Sequence, residues 1–117
     1  MSIENYLGKL FSLKGKTILI TGAAGGIGEA LALGLASAGA DLLLCDIAED
    51  RQNRIKEEII ARGSRANCYK LDVSDYNNIK PVIAKVIAEN EKIDVLVNCA
   101  GINRREGLLD VEESTYD

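Results

Sequence analysis

Apolar residues fall into four short runs, separated by polar stretches long enough for helices. Residues 16–21, Lys-Thr-Ile-Leu-Ile-Thr, form a compact run that predicts a strand. A glycine-rich stretch follows, then a helix over 29–37, ended by Gly39 just past its C-terminus. Residues 41–46 predict a second strand, Leu-Leu-Leu-Cys closed by an acid. Residues 48–62 read as a charged helix with Ile55, Ile59 and Ile60 on one face, stopped by Gly63. A third strand is predicted over 66–73. Ser74 is the expected cap of a helix over 75–90, in which Pro81 is a local conflict that should kink or delay it. The fourth strand is expected over 93–98. A polar loop follows Gly101, and residues 111–117 look like the first turn of another helix. Residues 2–15 read as a lead-in of one or two helical turns around Tyr6, Leu7 and Leu10.

The order is therefore β-α-β-α-β-α-β. Strand cores that are apolar on both faces imply a parallel sheet covered by helices on both sides. Right-handed crossovers then give an α/β, doubly wound parallel sheet with spatial order 3-2-1-4. A chain of 117 residues fits one domain.

Composition narrows the chemistry. Net charge is −4 with no basic stripe, so nucleic acid is not an expected partner. The absence of histidine excludes His-based triads and His-containing metal sites, and no metal ligand set is assigned. Cys45, Cys68 and Cys99 are odd in number and far apart, without a Cys-x-x-Cys, and read as reduced thiols in a core. The longest apolar stretches, 17–21, 42–45 and 93–97, are too short to span a bilayer. Residues 1–5 lack a basic region followed by an apolar core, so no signal peptide and a cytoplasmic location are expected.

The segment Thr21-Gly22-Ala23-Ala24-Gly25-Gly26-Ile27-Gly28 joins the first strand to the first helix. A pyrophosphate needs backbone N–H groups aimed at it and a helix N-terminus behind them, and side chains would hold it off. The pattern is Thr-Gly-x-x-x-Gly-x-Gly, not Gly-x-Gly-x-x-Gly; its place after a strand and ahead of a helix gives it meaning. A ligand-free tight turn is the plain alternative. Two resemblances are set aside. Gly15-Lys16-Thr17 imitates the end of a P-loop but precedes the strand, and Tyr76-x-x-x-Lys80 lies on the third helix, where both side chains should be solvated. Asp46 ends the second strand. A carboxylate there can accept hydrogen bonds from both adenosine ribose hydroxyls and would repel a 2′-phosphate. Its neighbours Gly25, Ile47 and Ala48 are neutral, which favours NAD over NADP, with Arg51 the nearest cation. The alternative for Asp46 is a turn or cap residue for the helix after Ala48.

Four pieces, Thr21-Gly22-x-x-x-Gly26-x-Gly28, Asp46, Leu71-Asp72-Val73 and Asn98-Cys99-Ala100-Gly101, stand at spacings that together resemble the classical short-chain dehydrogenase/reductases. Cys99 departs from the family's common Asn-Asn-Ala-Gly. The resemblance implies that Gly22, Ala24, Gly25 and Ile27, with Gly26 and Gly28 of the same loop, surround the pyrophosphate and adenosine. It implies Asp46 at the ribose, Asp72 and Val73 beside the adenine, and Asn98, Ala100 and Gly101 past the nicotinamide ribose, tying the fourth strand to its neighbour. Asp72 as a helix-start residue and Asn98 as a turn residue remain open. The implied reaction is hydride transfer between nicotinamide and an alcohol or ketone carbon. The family's acid/base Tyr, its Lys four residues on, its Ser and its Asn lie downstream of the Asn-Ala-Gly region, so no catalytic residue is assigned here. Residues 1–117 are then expected to be the N-terminal, cofactor-binding portion of a longer domain, inactive alone.

The segments Leu10-Phe-Ser-Leu-Lys-Gly-Lys16 and Asn98-Cys-Ala-Gly-Ile-Asn-Arg-Arg105 look most like the sugar and sugar-acid dehydrogenases of that family. Arg104 and Arg105 could meet a carboxylate or simply be solvated. The expected partners are a small-molecule substrate and further copies of the chain, with no membrane; an apolar fourth strand left as an open edge would recruit another copy. Two other readings compete: a stand-alone, non-catalytic NAD-binding or interaction module, and, more distantly, a methyltransferase.

Overall fold

A computed structural model describes Ile3 and residues 10–99. Its elements are β1 (Thr17–Thr21), α1 (Gly26–Ser37), β2 (Asp41–Asp46), α2 (Glu49–Ala61), β3 (Ala66–Lys70), α3 (Tyr76–Glu89) and β4 (Val95–Asn98). The strands form one sheet in the order β3-β2-β1-β4, and every pairing is parallel. This is the doubly wound, Rossmann-like arrangement the pattern predicts.

Side-chain alternation explains why the central strands are apolar throughout. Ile18 and Ile20 of β1, with Leu42 and Leu44 of β2, pack against Ala32 and Ala36 of α1 and Ile55 and Ile59 of α2. Leu19, Leu43 and Cys45 point to the other face, where Val86 of α3 meets Tyr69 and Leu71. Helices therefore cover both faces. Cys45 and Cys68 belong to opposite faces, and all three thiols are free. Burial pushes Cys45 up to about 12 and Cys68 up to about 11.

Several boundaries move, for local reasons. α1 begins at Gly26 rather than at residue 29, because the last glycines of the loop already adopt helical backbone. β3 stops at Lys70 and β4 starts at Val95, both shorter than expected. The cap of α3 is Asp75, whose carboxylate accepts from the N–H of Asn77 at 3.1 Å. Ser74 instead turns its N–H and hydroxyl toward Asp72 Oδ1, at 3.0 and 2.5 Å. α3 starts ahead of Pro81 and continues past it to Glu89, so the proline does not delay it. On α2 the buried stripe is Gln52, Ile55 and Ile59, while Ile60 is exposed. Residue 60 lies about 100° further round the helix than residue 59.

β4 is fastened to β1 at both ends. At the start, the Thr17 N–H donates to Asp94 Oδ2 and the Asp94 N–H donates to the Thr17 carbonyl, each at 2.8 Å. Lys92 pairs with Asp94 at 3.1 Å and also donates to the Gly15 carbonyl. At the far end, the Thr21 hydroxyl donates to Asn98 Oδ1 at 2.7 Å and the Cys99 N–H to the Thr21 carbonyl at 2.9 Å. Tyr6, Leu7, Ala100, Gly101, Arg104, Arg105 and the turn expected over 111–117 lie outside the described residues.

Candidate nucleotide-binding site

Because the strands are parallel, their C-terminal ends gather on one edge of the sheet. Thr21 lies opposite both Cys45 and Asn98, and Asp46 lies opposite Lys70. The glycine loop, Asp46, Leu71-Asp72 and Asn98 thus share the end where ligands of open α/β sheets bind, and the strand order reverses beside β1.

The loop backbone is engaged residue by residue. Gly22 takes a positive φ of 70°, turning the chain out of β1. Its N–H and that of Ala23 donate to the Cys45 carbonyl, the Ala24 N–H donates to Asp46 Oδ2, and the Gly25 N–H donates to the Gly22 carbonyl. Ala23 and Ala24 bury their methyls in the core. Gly25, the N-cap of α1, offers no side chain to the helix. The N–H groups of Gly26, Ile27 and Gly28 therefore have neither an intrahelical acceptor nor a capping side chain.

The glycines differ in what they provide. A Cβ on Gly28 would stand 2.1 Å from the Gly22 carbonyl oxygen, so glycine there lets the helix lie against the loop. A Cβ on Gly26 would meet nothing within 4 Å, so the space beside the first residue of α1 is open. Donors, open space and a helix N-terminus fit the pyrophosphate of a dinucleotide. Ala24 contributes through its bond to Asp46, since its own N–H is taken.

Asp46 spans the gap between two helices. One carboxylate oxygen accepts from Ala24 N–H at 3.0 Å and the other from Ala48 N–H at 2.9 Å, just ahead of α2. Its turn-residue role is thus present in the fold, while a carboxylate keeps further acceptor capacity for ribose hydroxyls. Asp72 accepts both donors of Ser74, chiefly the hydroxyl, and these bonds hold its carboxyl below the usual aspartate range. Val73 beside it is exposed, as is Ile27 at the loop.

Sequence reading missed three features. Lys70 is a register neighbour of Asp46, placed there by a strand pairing that spacing does not reveal. Glu29 in the first turn of α1 reaches Arg51 in the first turn of α2, at 3.3 Å. A cleft of about 280 Å³ opens beside that pair, lined by Glu29, Arg51, Arg54, Ile55 and Glu58 and by no residue of the glycine loop. Of the two set-aside motifs, Gly15-Lys16-Thr17 sits at the opposite end of β1 from the site, and Tyr76 and Lys80 are exposed on α3.

The family model for short chain dehydrogenases matches residues 16–117. The chain belongs to the short-chain dehydrogenase family. It is 39% identical over 107 residues to the 2-dehydro-3-deoxy-D-gluconate 5-dehydrogenase of Dickeya dadantii, covering 92% of this chain and 42% of that protein. The crystal structure of a 2-keto-3-deoxy-D-gluconate dehydrogenase from Streptococcus agalactiae superposes with a TM-score of 0.71 at 35% identity, over 97% of this chain and 42% of that one. A gluconate 5-dehydrogenase from Burkholderia cenocepacia, in complex with NADP and tartrate, gives a TM-score of 0.76 at 35% identity, over 92% of this chain and 42% of that one. The chain thus spans about two fifths of the length of these relatives. The family consists of oxidoreductases that bind nicotinamide cofactors. Among the described residues, no helix is long and apolar enough to cross a membrane.

Proposed function

We propose that this chain forms the cofactor site of an NAD-dependent oxidoreductase that moves a hydride between nicotinamide and an alcohol or ketone carbon of a sugar or sugar acid. The observation that carries the reading is the set of free N–H groups at Gly26, Ile27 and Gly28, with Asp46 fixed beside them at the end of β2. The bound nicotinamide supplies or receives the hydride. The chain's own residues bind and orient: the loop takes the pyrophosphate, Asp46 the adenosine ribose, Asp72 and Val73 the adenine. Asn98, Ala100 and Gly101 take the nicotinamide ribose. No residue described here is assigned proton transfer.

Asp46 supports NAD over NADP, because its charge opposes a 2′-phosphate. The sugar-acid assignment is supported by the likeness to the Dickeya and Streptococcus enzymes, with Arg104 and Arg105 as the carboxylate partners. For residues 1–117 taken alone, association of copies is supported by β4, the outer strand of the described sheet, whose Val95 and Leu96 are exposed. Three free thiols and the family suit the cytoplasm.

The test is a fluorescence titration of the chain with NADH, competed by ADP-ribose, with S-adenosylmethionine as control. The expected result is saturable NADH binding, displaced by ADP-ribose and indifferent to S-adenosylmethionine. Displacement by S-adenosylmethionine alone, or no NADH binding, would remove the reading.

A further inference from the structure

We propose that Glu29 contributes to the cofactor selectivity of this site by holding Arg51 away from the adenosine ribose. The inference rests on the dinucleotide reading above and adds a positioning residue to it. Asp46 ties the glycine loop to the start of α2 through Ala24 and Ala48. Glu29 and Arg51 tie the first turns of α1 and α2 together across the same gap, Oε2 to Nη2 at 3.3 Å. A ribose 2′-phosphate brought to Asp46 would need a cation. Arg51 is the cation nearest Asp46 along the chain, and its fork of donors suits a phosphate. Its guanidinium is committed instead to Glu29.

The pair also keeps the carboxylate of Glu29, one residue after the last free N–H of α1, from standing as a bare negative charge beside a pyrophosphate. Arg51 is half-exposed, so its side chain is not locked by packing and can turn once released. An exposed ion pair holds its partners loosely; its loss changes an equilibrium by up to about fivefold. Glu29 therefore tilts the choice that Asp46 dominates.

The experiment measures dissociation constants of NADH and NADPH for the 117-residue chain and its variants by nicotinamide fluorescence. Their ratio cancels any effect on the shared pyrophosphate. Glu29→Gln is expected to shift the ratio toward NADPH by about threefold to fivefold at low salt, and less at high salt. Adding Arg51→Gln is expected to erase that shift. Arg51 is exposed and Glu29 partly so, and matching urea midpoints confirm that the variants stay folded. A wild type that binds NADH with no change of ratio in Glu29→Gln overturns the inference and leaves the dinucleotide reading standing. A shift that survives in the double variant overturns the role of Arg51 and points to Lys70 or to the bare loss of charge. A wild type that binds neither nucleotide overturns both readings.

Discussion

Gly28→Ala tests the closeness of α1 to the glycine loop. The added methyl would lie 2.1 Å from the Gly22 carbonyl oxygen and 2.9 Å from both Gly22 C and Ala23 Cα. All three are backbone atoms, so no rotamer change relieves the contact. Reaching even 3.0 Å requires α1 to move off the loop or the loop to unwind. The loop resists: Gly22 is held at positive φ and both Gly22 and Ala23 donate to the Cys45 carbonyl. Forced contacts of this kind cost about 1–3 kcal/mol, offset by up to about 1 kcal/mol from alanine's helix preference. A net loss of about 1–2 kcal/mol corresponds to a fall in the urea midpoint of about 0.5–1 M at a typical slope. Gly26→Ala is the control, since its methyl meets nothing within 4 Å. It should leave the midpoint unchanged or slightly raised, yet weaken NADH binding by crowding the open space beside the first residue of α1. The close-approach reasoning is refuted if Gly28→Ala unfolds at the wild-type urea concentration.

Three further expectations concern the rest of the fold. The Thr17 N–H, and after it Lys92, hold the Asp94 carboxyl below the ordinary value of 3.8. Its contribution is therefore complete above pH 3.8 and is lost as pH falls through the lowered folded value. Wild-type and Asp94→Ala urea midpoints should differ at neutral pH and draw together in acid; a constant gap would contradict this. The Tyr69 hydroxyl donates to Glu89 at 2.8 Å and accepts from Asn90 at 3.1 Å, so Tyr69→Phe should cost about 1 kcal/mol and speed amide exchange at the end of α3. Unaltered exchange there would show that the hydroxyl fastens nothing. Cys45, fully buried and pushed up to about 12, should react with iodoacetamide at pH 8 only as fast as the protein unfolds. Faster labelling would mean that this face of the sheet opens locally.

What could be read from the chain depended on whether its cause was local. Leu42 to Cys45 is apolar at every position because both faces are covered, and that shows without a structure. The turn at Gly22 and the helix stops at Gly39 and Gly63, all with positive φ, are single-residue signals. Neighbouring candidates were harder. Ser74 and Asp75 can both cap, and only the path of the chain decides which one faces the first turn of α3. Gln52 is hard to read from sequence because its amide conceals a core position. It is 1% exposed, donates to the Tyr69 carbonyl at 3.0 Å, and leaves its own carbonyl oxygen without a partner. In the candidate site, the loop and Asp46 could be read because they flank β1 and β2 directly. Lys70, the Glu29–Arg51 pair and the Asp94 clasp could not, since each joins residues that meet only after strands pair or helices dock.

The clasp on β4 has a consequence for the order of assembly. The side-chain bonds from Thr17 to Asp94, from Thr21 to Asn98 and from Lys92 to Gly15 each close 77 residues of chain. Closing a loop that long from the unfolded state costs about 1 kcal/mol more than bringing β2 beside β1. Once β1, β2 and β3 are paired, only the stretch through α3 remains to be ordered, and much of that cost has already been met. β4 should therefore dock last, onto a finished three-stranded template. In pulse-labelled refolding, the amides of Val95 to Val97 should gain protection after those of Leu42 to Leu44; simultaneous protection would mean that the sheet forms in one step.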